Sequence, residues 1–163
     1  MSMQQPFEHT VTAHGPTVLR VVRAVLGPGP DADDAWAETF LAALRAWPDL
    51  PADTNVQAWL VRVAHRKAID VTRGARRRAQ PTDILPERPA TTGLPDSAEP
   101  DLWAAVAALP ERQRLSLAYH YLGGLRHTET AELIGGSPEA VRRAAADGIR
   151  ALRRTYAPEG APR

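Results

Sequence analysis

The ionisable side chains of this chain are grouped, not scattered. Arg73–Arg78 reads RGARRR, and the last helical stretch carries Arg142, Arg143, Arg150, Arg153 and Arg154. Clustered guanidinium groups suit phosphate oxygens and guanine edges, because the planar fork donates hydrogen bonds in pairs. The acids gather elsewhere, at Asp31, Asp33, Asp34 and Glu38, a placement suited to a basic protein surface. Net charge is only +1, so the distribution of charge, and not its total, points to partners. The chemistry of an enzyme is not visible. The chain has no Cys, which excludes a disulfide framework, a thiolate zinc site and a cysteine nucleophile. His9, His14, His65, His120 and His127 show no pair at metal-ligand spacing on one helix. Glu8 with His9 and His14, or Asp70 with His65, could be drawn as acid and base. No nucleophile, glycine-rich phosphate loop or clustered carboxylate pair accompanies them. The residues describe a chain without catalysis or cofactor that binds nucleic acid on one surface and a protein on another.

These side chains must be carried by helices. The 163 residues are 44% hydrophobic and only 6% aromatic, with much Ala and Leu and few β-branched residues, a mix that favours helix over sheet. The N-terminus MSMQQPFEHT lacks the cationic start and apolar run of a signal peptide, and no stretch is apolar enough to span a membrane. A cytoplasmic location is expected. Five of the fifteen prolines fall between Pro81 and Pro100, in a stretch without periodicity that reads as a flexible linker. The chain therefore divides into a first domain over 1–80, a linker over 81–100 and a second domain over 101–163. The linker is expected to let the domains move until a partner fixes their spacing.

Three long helices are predicted in the first domain. Phe7 to Leu26 carries an apolar stripe and ends at the GPGP of Gly27–Pro30. Asp31 is read as the N-cap of the next helix, whose stripe is Trp36, Phe40, Leu44 and Trp47. A third helix runs from about Asn55 to Arg73 with a basic end. In the second domain, short helices over Leu102–Leu109 and after Pro110 precede a more specific pattern. A helix from about Thr128 to Ile134 is followed by Gly135-Gly136, then Ser137-Pro138-Glu139. That triplet offers an N-cap serine, a proline at the first helical position and an acid in the first turn. The final helix sets Val141, Ala145, Gly148, Ile149 and Leu152 on one face. A tight Gly turn between two helices, the second capped and basic outside, reads as a helix-turn-helix, with an ordinary helical hairpin as the alternative.

Taken in order, these passages resemble the extracytoplasmic-function sigma factors of the sigma-70 family over nearly the whole chain. DADDAWAETFLAALRAW (Asp31–Trp47) is similar to the family's acidic helix that docks on the clamp helices of the largest RNA polymerase subunit. VQAWLVRVAHRKAIDVTRGARRR (Val56–Arg78) is similar to the helix that melts and reads the minus-ten element. Leu109–Arg154 is similar to the domain that reads the minus-thirty-five element. The resemblance implies an all-α, two-domain subunit that binds the RNA polymerase core and promoter DNA, directs promoter-specific initiation, and can be held by an anti-sigma factor.

It also implies residue roles. Asp31, Asp34 and Glu38 would meet the basic clamp helices, with Phe40 and Leu41 supplying apolar area, Phe40 being equally suited to the core. Arg62, Arg66, Lys67, Arg73, Arg76 and Arg77 would hold the melted strand, with Arg78 beyond them. His65 stands where the family often has Asn and would face DNA. Trp59 is divided between core packing and base stacking. In the helix-turn-helix, Ser137, Glu139, Arg142 and Arg143 would face the major groove, and Arg126 and Arg150 would touch phosphates. Two departures stand out: Ala144 and Asp147 occupy positions that are usually basic, and Ala37 replaces a common Gln. The rival reading is a sigma-like DNA-binding regulator that does not initiate transcription; a helical enzyme and a pure scaffold fit less of the pattern.

Overall fold

The computed structural model describes residues 6–78 and 100–155, which fold into two small helical units. The expected linker, 81–100, lies outside the described residues apart from Pro100, the first residue of a helix. The first unit contains α1 (Phe7–Leu26), α2 (Pro30–Ala46), a 3-10 turn over Trp47–Asp49 and α3 (Val56–Arg78). The second contains α4 (Pro100–Ala107), α5 (Glu111–Leu117) running into a π turn over Ala118–Leu122, then α6 (His127–Ile134) and α7 (Pro138–Thr155). No strand occurs among the described residues.

Local chemistry sets most of the helix ends. Gly27 takes φ +86° after α1 and donates its N–H to the Arg23 carbonyl at 2.8 Å, a stop that a side chain would resist. Asp31 is not a cap: Gly29 is the N-cap, Pro30 takes the first helical position, and Asp31 and Asp33 fall in the first turn. Proline suits that position because its missing N–H has no helical partner to lose. Asn55 caps α3, its Oδ1 accepting from the Ala58 N–H at 3.1 Å. With that start, α3 runs through RGARRR and ends five residues beyond the expected Arg73.

The core of the first unit is Val18, Leu19, Val22, Ala32, Ala35, Phe40, Ala43, Leu60 and Ala64, with Phe7, Trp36, Val56 and Trp59 packed around it. Small alanines on α2 let the helices approach closely, and three aromatic rings fill the space near the ends. Trp36 lies 4.7 Å from Phe40 between ring centroids, and Phe7 lies 6.4 Å from Phe40. The indole N–H of Trp36 donates to the Gly15 carbonyl at 2.9 Å, so the large ring is buried without orphaning its polar atom.

The two units do not stand apart as expected; they share apolar core. Val21 on α1 and Val61 on α3 meet Tyr119 and Leu125 of the second unit, all four at most 1% exposed. A second contact joins Ala24 of α1 to Val106 and Ala118. Full burial of a Val or Leu side chain is worth about 1.5–3 kcal/mol, of which the contact between the units supplies a share. Gly123 permits the close approach: a Cβ there would sit 3.1 Å from Val61 Cγ1 and 2.9 Å from the Tyr119 carbonyl. The Arg114 guanidinium donates to the Val25 carbonyl at the end of α1, and Gln57 Nε2 donates to the Gly123 carbonyl at 3.1 Å.

Candidate polymerase and nucleic-acid interfaces

Three surfaces carry the side chains singled out by type and spacing. The first is the outward face of α2. Asp34 and Glu38 are exposed one turn apart, and Leu41 and Leu44 beside them are 47% and 51% exposed. Bare leucines next to carboxylates fit a partner that offers both apolar area and positive charge. Asp33 belongs to the interior side: burial raises its pKa, while the buried Arg23 opposes that rise. Asp31 is half-buried and borders an open groove, of about 590 Å³, between α3 and α5. Phe40 is corrected to the core, being only 6% exposed and packed against Trp36 and Phe7. It shares the inward stripe of α2 with Ala32, Ala35 and Ala43.

The second surface is α3, and the fold divides it in two. Arg66, Arg73, Arg76 and Arg77 are exposed and Lys67 is half-exposed, leaving a basic edge toward the C-terminal end. Arg73 and Arg76 border the same open groove. Trp59 packs against the core of the first unit, which leaves little of its ring for stacking on a base. Arg62 and His65 are engaged by the second unit. Arg62 reaches Glu129 at 3.2 Å and Glu132 at 3.8 Å. His65 Nδ1 lies 2.7 Å from the Tyr119 hydroxyl, with the two rings edge to face at 5.1 Å. Burial lowers the His65 pKa and Arg66 lowers it further, against a hydrogen bond to the Leu133 backbone. A neutral imidazole satisfies both partners, with one nitrogen accepting from Tyr119 and the other donating to Leu133.

The third surface is the helix-turn-helix. Gly135 and Gly136 both take positive φ, +87° and +88°, in the turn between α6 and α7. Ser137 then caps α7, its Oγ accepting from the Ala140 N–H at 3.1 Å. Val141, Ala145 and Gly148 are buried, while Glu139, Arg142, Arg143 and Arg150 are exposed on the opposite side. Arg150 pairs with Asp147, leaving Arg142 and Arg143 as the cations nearest the start of the helix. Arg126 precedes α6 and holds Glu129 at 3.0 Å. Its backbone N–H and guanidinium keep the Glu129 carboxyl below the ordinary range. Behind the turn, Arg112 Nη2 donates to the Gly135 carbonyl at 2.7 Å. His120 and His127, the first residue of α6, stack at 3.8 Å, and no group of three potential ligands among the described residues could hold a metal.

Residue-type reasoning overlooked Tyr119, Glu129, Glu132, Arg112 and Arg114. The acids on α6 carried a usable signal, since carboxylates are out of place on a helix that runs toward phosphates. Tyr119 and Arg114 carried none, because their roles depend on a distant helix.

Comparison with known proteins decides what this arrangement belongs to. Residues 10–78 match the model of sigma-70 region 2, and residues 100–152 match a model of sigma-70 region 4. The chain is 35% identical over 152 residues to the ECF RNA polymerase sigma factor ShbA of Streptomyces griseus, covering 82% of this chain and 79% of that one.

The chain belongs to the sigma-70 family, in its extracytoplasmic-function branch.

It is a promoter-directing subunit of RNA polymerase. The sigma factor SigD of Mycobacterium tuberculosis is 34% identical over 139 residues, 78% of this chain and 66% of that one. The fold is shared with solved structures of two sigma factors. One is RpoE in complex with the anti-sigma factor NepR from Bartonella quintana, with TM-score 0.69, 17% identity, and coverage of 91% of this chain and 95% of that one. The other is CnrH in complex with the cytosolic domain of CnrY, with TM-score 0.59, 24% identity, and coverage of 94% and 88%.

Proposed function

We propose that this sigma factor docks on the polymerase core through the outward face of α2, holds the melted promoter strand along α3, and reads duplex DNA upstream with α7. The observation that carries the reading is the order of the two sigma-70 regions together with the chemistry each exposes. Asp34 and Glu38 flank bare Leu41 on the first, and Arg142 and Arg143 head a capped helix on the second. On α3, Arg66, Lys67, Arg73, Arg76 and Arg77 provide the phosphate contacts, and Arg62 and His65 join them when α3 is uncovered. Base-edge discrimination in the duplex falls to Arg142 and Arg143, each good guanine pairing being worth roughly 1–3 kcal/mol. The pairing of Arg150 with Asp147 reduces the basic character of α7 further along. Upstream binding is therefore weak compared with a fully basic helix. The chain works in the cytoplasm, where polymerase is, and an anti-sigma protein is a further partner.

The test is transcription in vitro, adding the protein to sigma-free polymerase core on a pool of genomic promoter fragments. New discrete transcripts are expected, and their starts give the promoter motif. Core binding without transcripts refutes independent initiation. Lys at both Asp34 and Glu38 should weaken core binding while leaving the helical content unchanged. Unchanged affinity refutes the α2 docking face.

A further inference from the structure

We propose that His120 and His127 form a proton-linked contact for a DNA phosphate beside the recognition helix, so that duplex binding by α7 takes up a proton. This rests on the reading of α7 as the duplex-reading helix and adds a contact that its arginines do not supply. The two rings are nearly parallel, 21° apart, with centroids 3.8 Å from each other. Both are half-buried, His120 in the π turn that follows α5 and His127 at the first position of α6. His120 Nδ1 lies 2.7 Å from the Leu125 carbonyl, which can only accept, so that nitrogen carries a hydrogen. The Tyr121 ring stands edge-on to His120 at 4.9 Å and is itself exposed.

Stacked imidazoles are a poor place for two positive charges, and a neighbouring cation makes them poorer. Burial lowers the His127 pKa, and His120 and then Arg142 lower it further. Arg142 is exposed near the start of α7, so part of the field that keeps His127 neutral comes from the helix that meets the duplex. The other charged groups of this corner have partners of their own. Glu129 is held by Arg126 and Arg62, Glu132 lies 3.8 Å from Arg62, and Arg112 of α5 donates to the Gly135 carbonyl. What the pair lacks is an anion. A DNA phosphate drawn in by Arg142 offsets the repulsion and lets one ring take a proton and donate to it. The complex then holds one proton more than the free protein, so affinity rises as pH falls. The tightening begins as pH falls through the raised pKa of the bound state. It is complete below the lowered pKa of the free state.

The probe is a fluorescent random 20-base-pair duplex titrated into the full chain at fixed salt, because phosphate contacts carry no sequence information. The native protein should bind it about tenfold more tightly at pH 6.0 than at pH 7.5. Calorimetry in buffers of different ionisation enthalpy should show about one proton taken up per complex near pH 6.5. His127→Gln and His120→Gln, each with helical content unchanged, should lose most of this pH dependence. His127→Arg supplies a fixed charge and should bind at pH 7.5 as tightly as the native protein does at pH 6.0. His65 and the remaining histidines are present in every variant, so the difference between variants isolates the pair. A pH dependence that survives in both glutamine variants overturns the proposal. So does His127→Arg without tighter binding at pH 7.5, since a purely structural stack gains nothing from a charge. Arg142→Ala with Arg143→Ala tests the underlying reading separately. Loss of duplex affinity there supports α7 as the duplex helix. Unchanged affinity refutes that reading, while the glutamine variants still decide whether the pair is proton-linked.

Discussion

Truncating Phe40 separates a core role from an interface role, because the two predict opposite patterns. Phe40 is 6% exposed and touches the Phe7 and Trp36 rings, so Phe40→Ala removes a phenyl ring from a packed site. Such truncations cost about 3–5 kcal/mol, part from lost transfer energy and part from the cavity left behind. The surroundings are helix faces rich in alanine, with Ala32, Ala35 and Ala43 nearby. These short side chains cannot swing in to fill the space, which places the expected cost near 4 kcal/mol. With a urea slope of about 2 kcal/mol/M, the unfolding midpoint should fall by about 2 M. Leu41→Ala, one residue on and 47% exposed, should cost less than about 0.5 kcal/mol. Urea titration followed by tryptophan fluorescence suits the measurement, since Trp36 adjoins the cavity. Phe40→Leu keeps most of the volume and should cost less than about 1.5 kcal/mol, which preserves a folded variant if Ala does not. The reasoning is refuted if Phe40→Ala leaves the midpoint unchanged and only polymerase binding falls.

Three further outcomes are expected. The contact between the units should weaken in acid. His65 has a pKa lowered below its ordinary 6.5, so the closed arrangement favours the neutral ring. Its contribution is complete above that ordinary value and is lost as pH falls below it. The charged groups that line the groove with the ring are Arg73 and Arg76 on its own helix and Asp31, Glu111 and Arg114 on other elements; Arg66 also acts on it, with Tyr119 and Leu133 as its hydrogen-bond partners. Spin labels at Asp49→Cys and Ala108→Cys, exposed positions on different units of a chain with no native Cys, should show a growing long-distance population between pH 7.5 and 5.5, about the window set by an ordinary histidine. A distance independent of pH would count against the His65 contact. Ser137→Ala removes the cap of α7 and should cost about 1 kcal/mol, lowering the melting temperature by roughly 2–4 °C in calorimetry. Arg143→Ala should reduce binding to the upstream promoter duplex more than to random duplex. An equal loss on both would make Arg143 a phosphate contact and not a base reader.

Most of the elements were legible because their signals are local. Gly27 marks the end of α1, Asn55 and Ser137 cap α3 and α7, and the glycine pair at 135–136 announces the turn. The one misplaced cap, Asp31, shows how local signals compete: a proline at the first helical position left Gly29 as the cap. Exposed members of the candidate surfaces were legible too, since ionised side chains set off the apolar stripe of an amphipathic helix face outward. Phe40 was ambiguous for the opposite reason. An apolar residue on an amphipathic stripe next to an acidic face satisfies both the core and the interface pattern, and burial alone separates them.

By itself the sequence determined the helical class, the division into two helical units, the order of the acidic, basic and helix-turn-helix segments, and the family they resemble. Each of these follows from residue type and spacing within one or two turns of chain. Tertiary structure alone decided that Val61 and Tyr119 share a core across 58 positions, that Arg62 faces Glu129, and that His65 is held by Tyr119 and Leu133. Contacts of this kind bring together two faces that each look complete alone. The pairing is set by shape at a glycine and by complementary charge, neither of which leaves a period in the sequence.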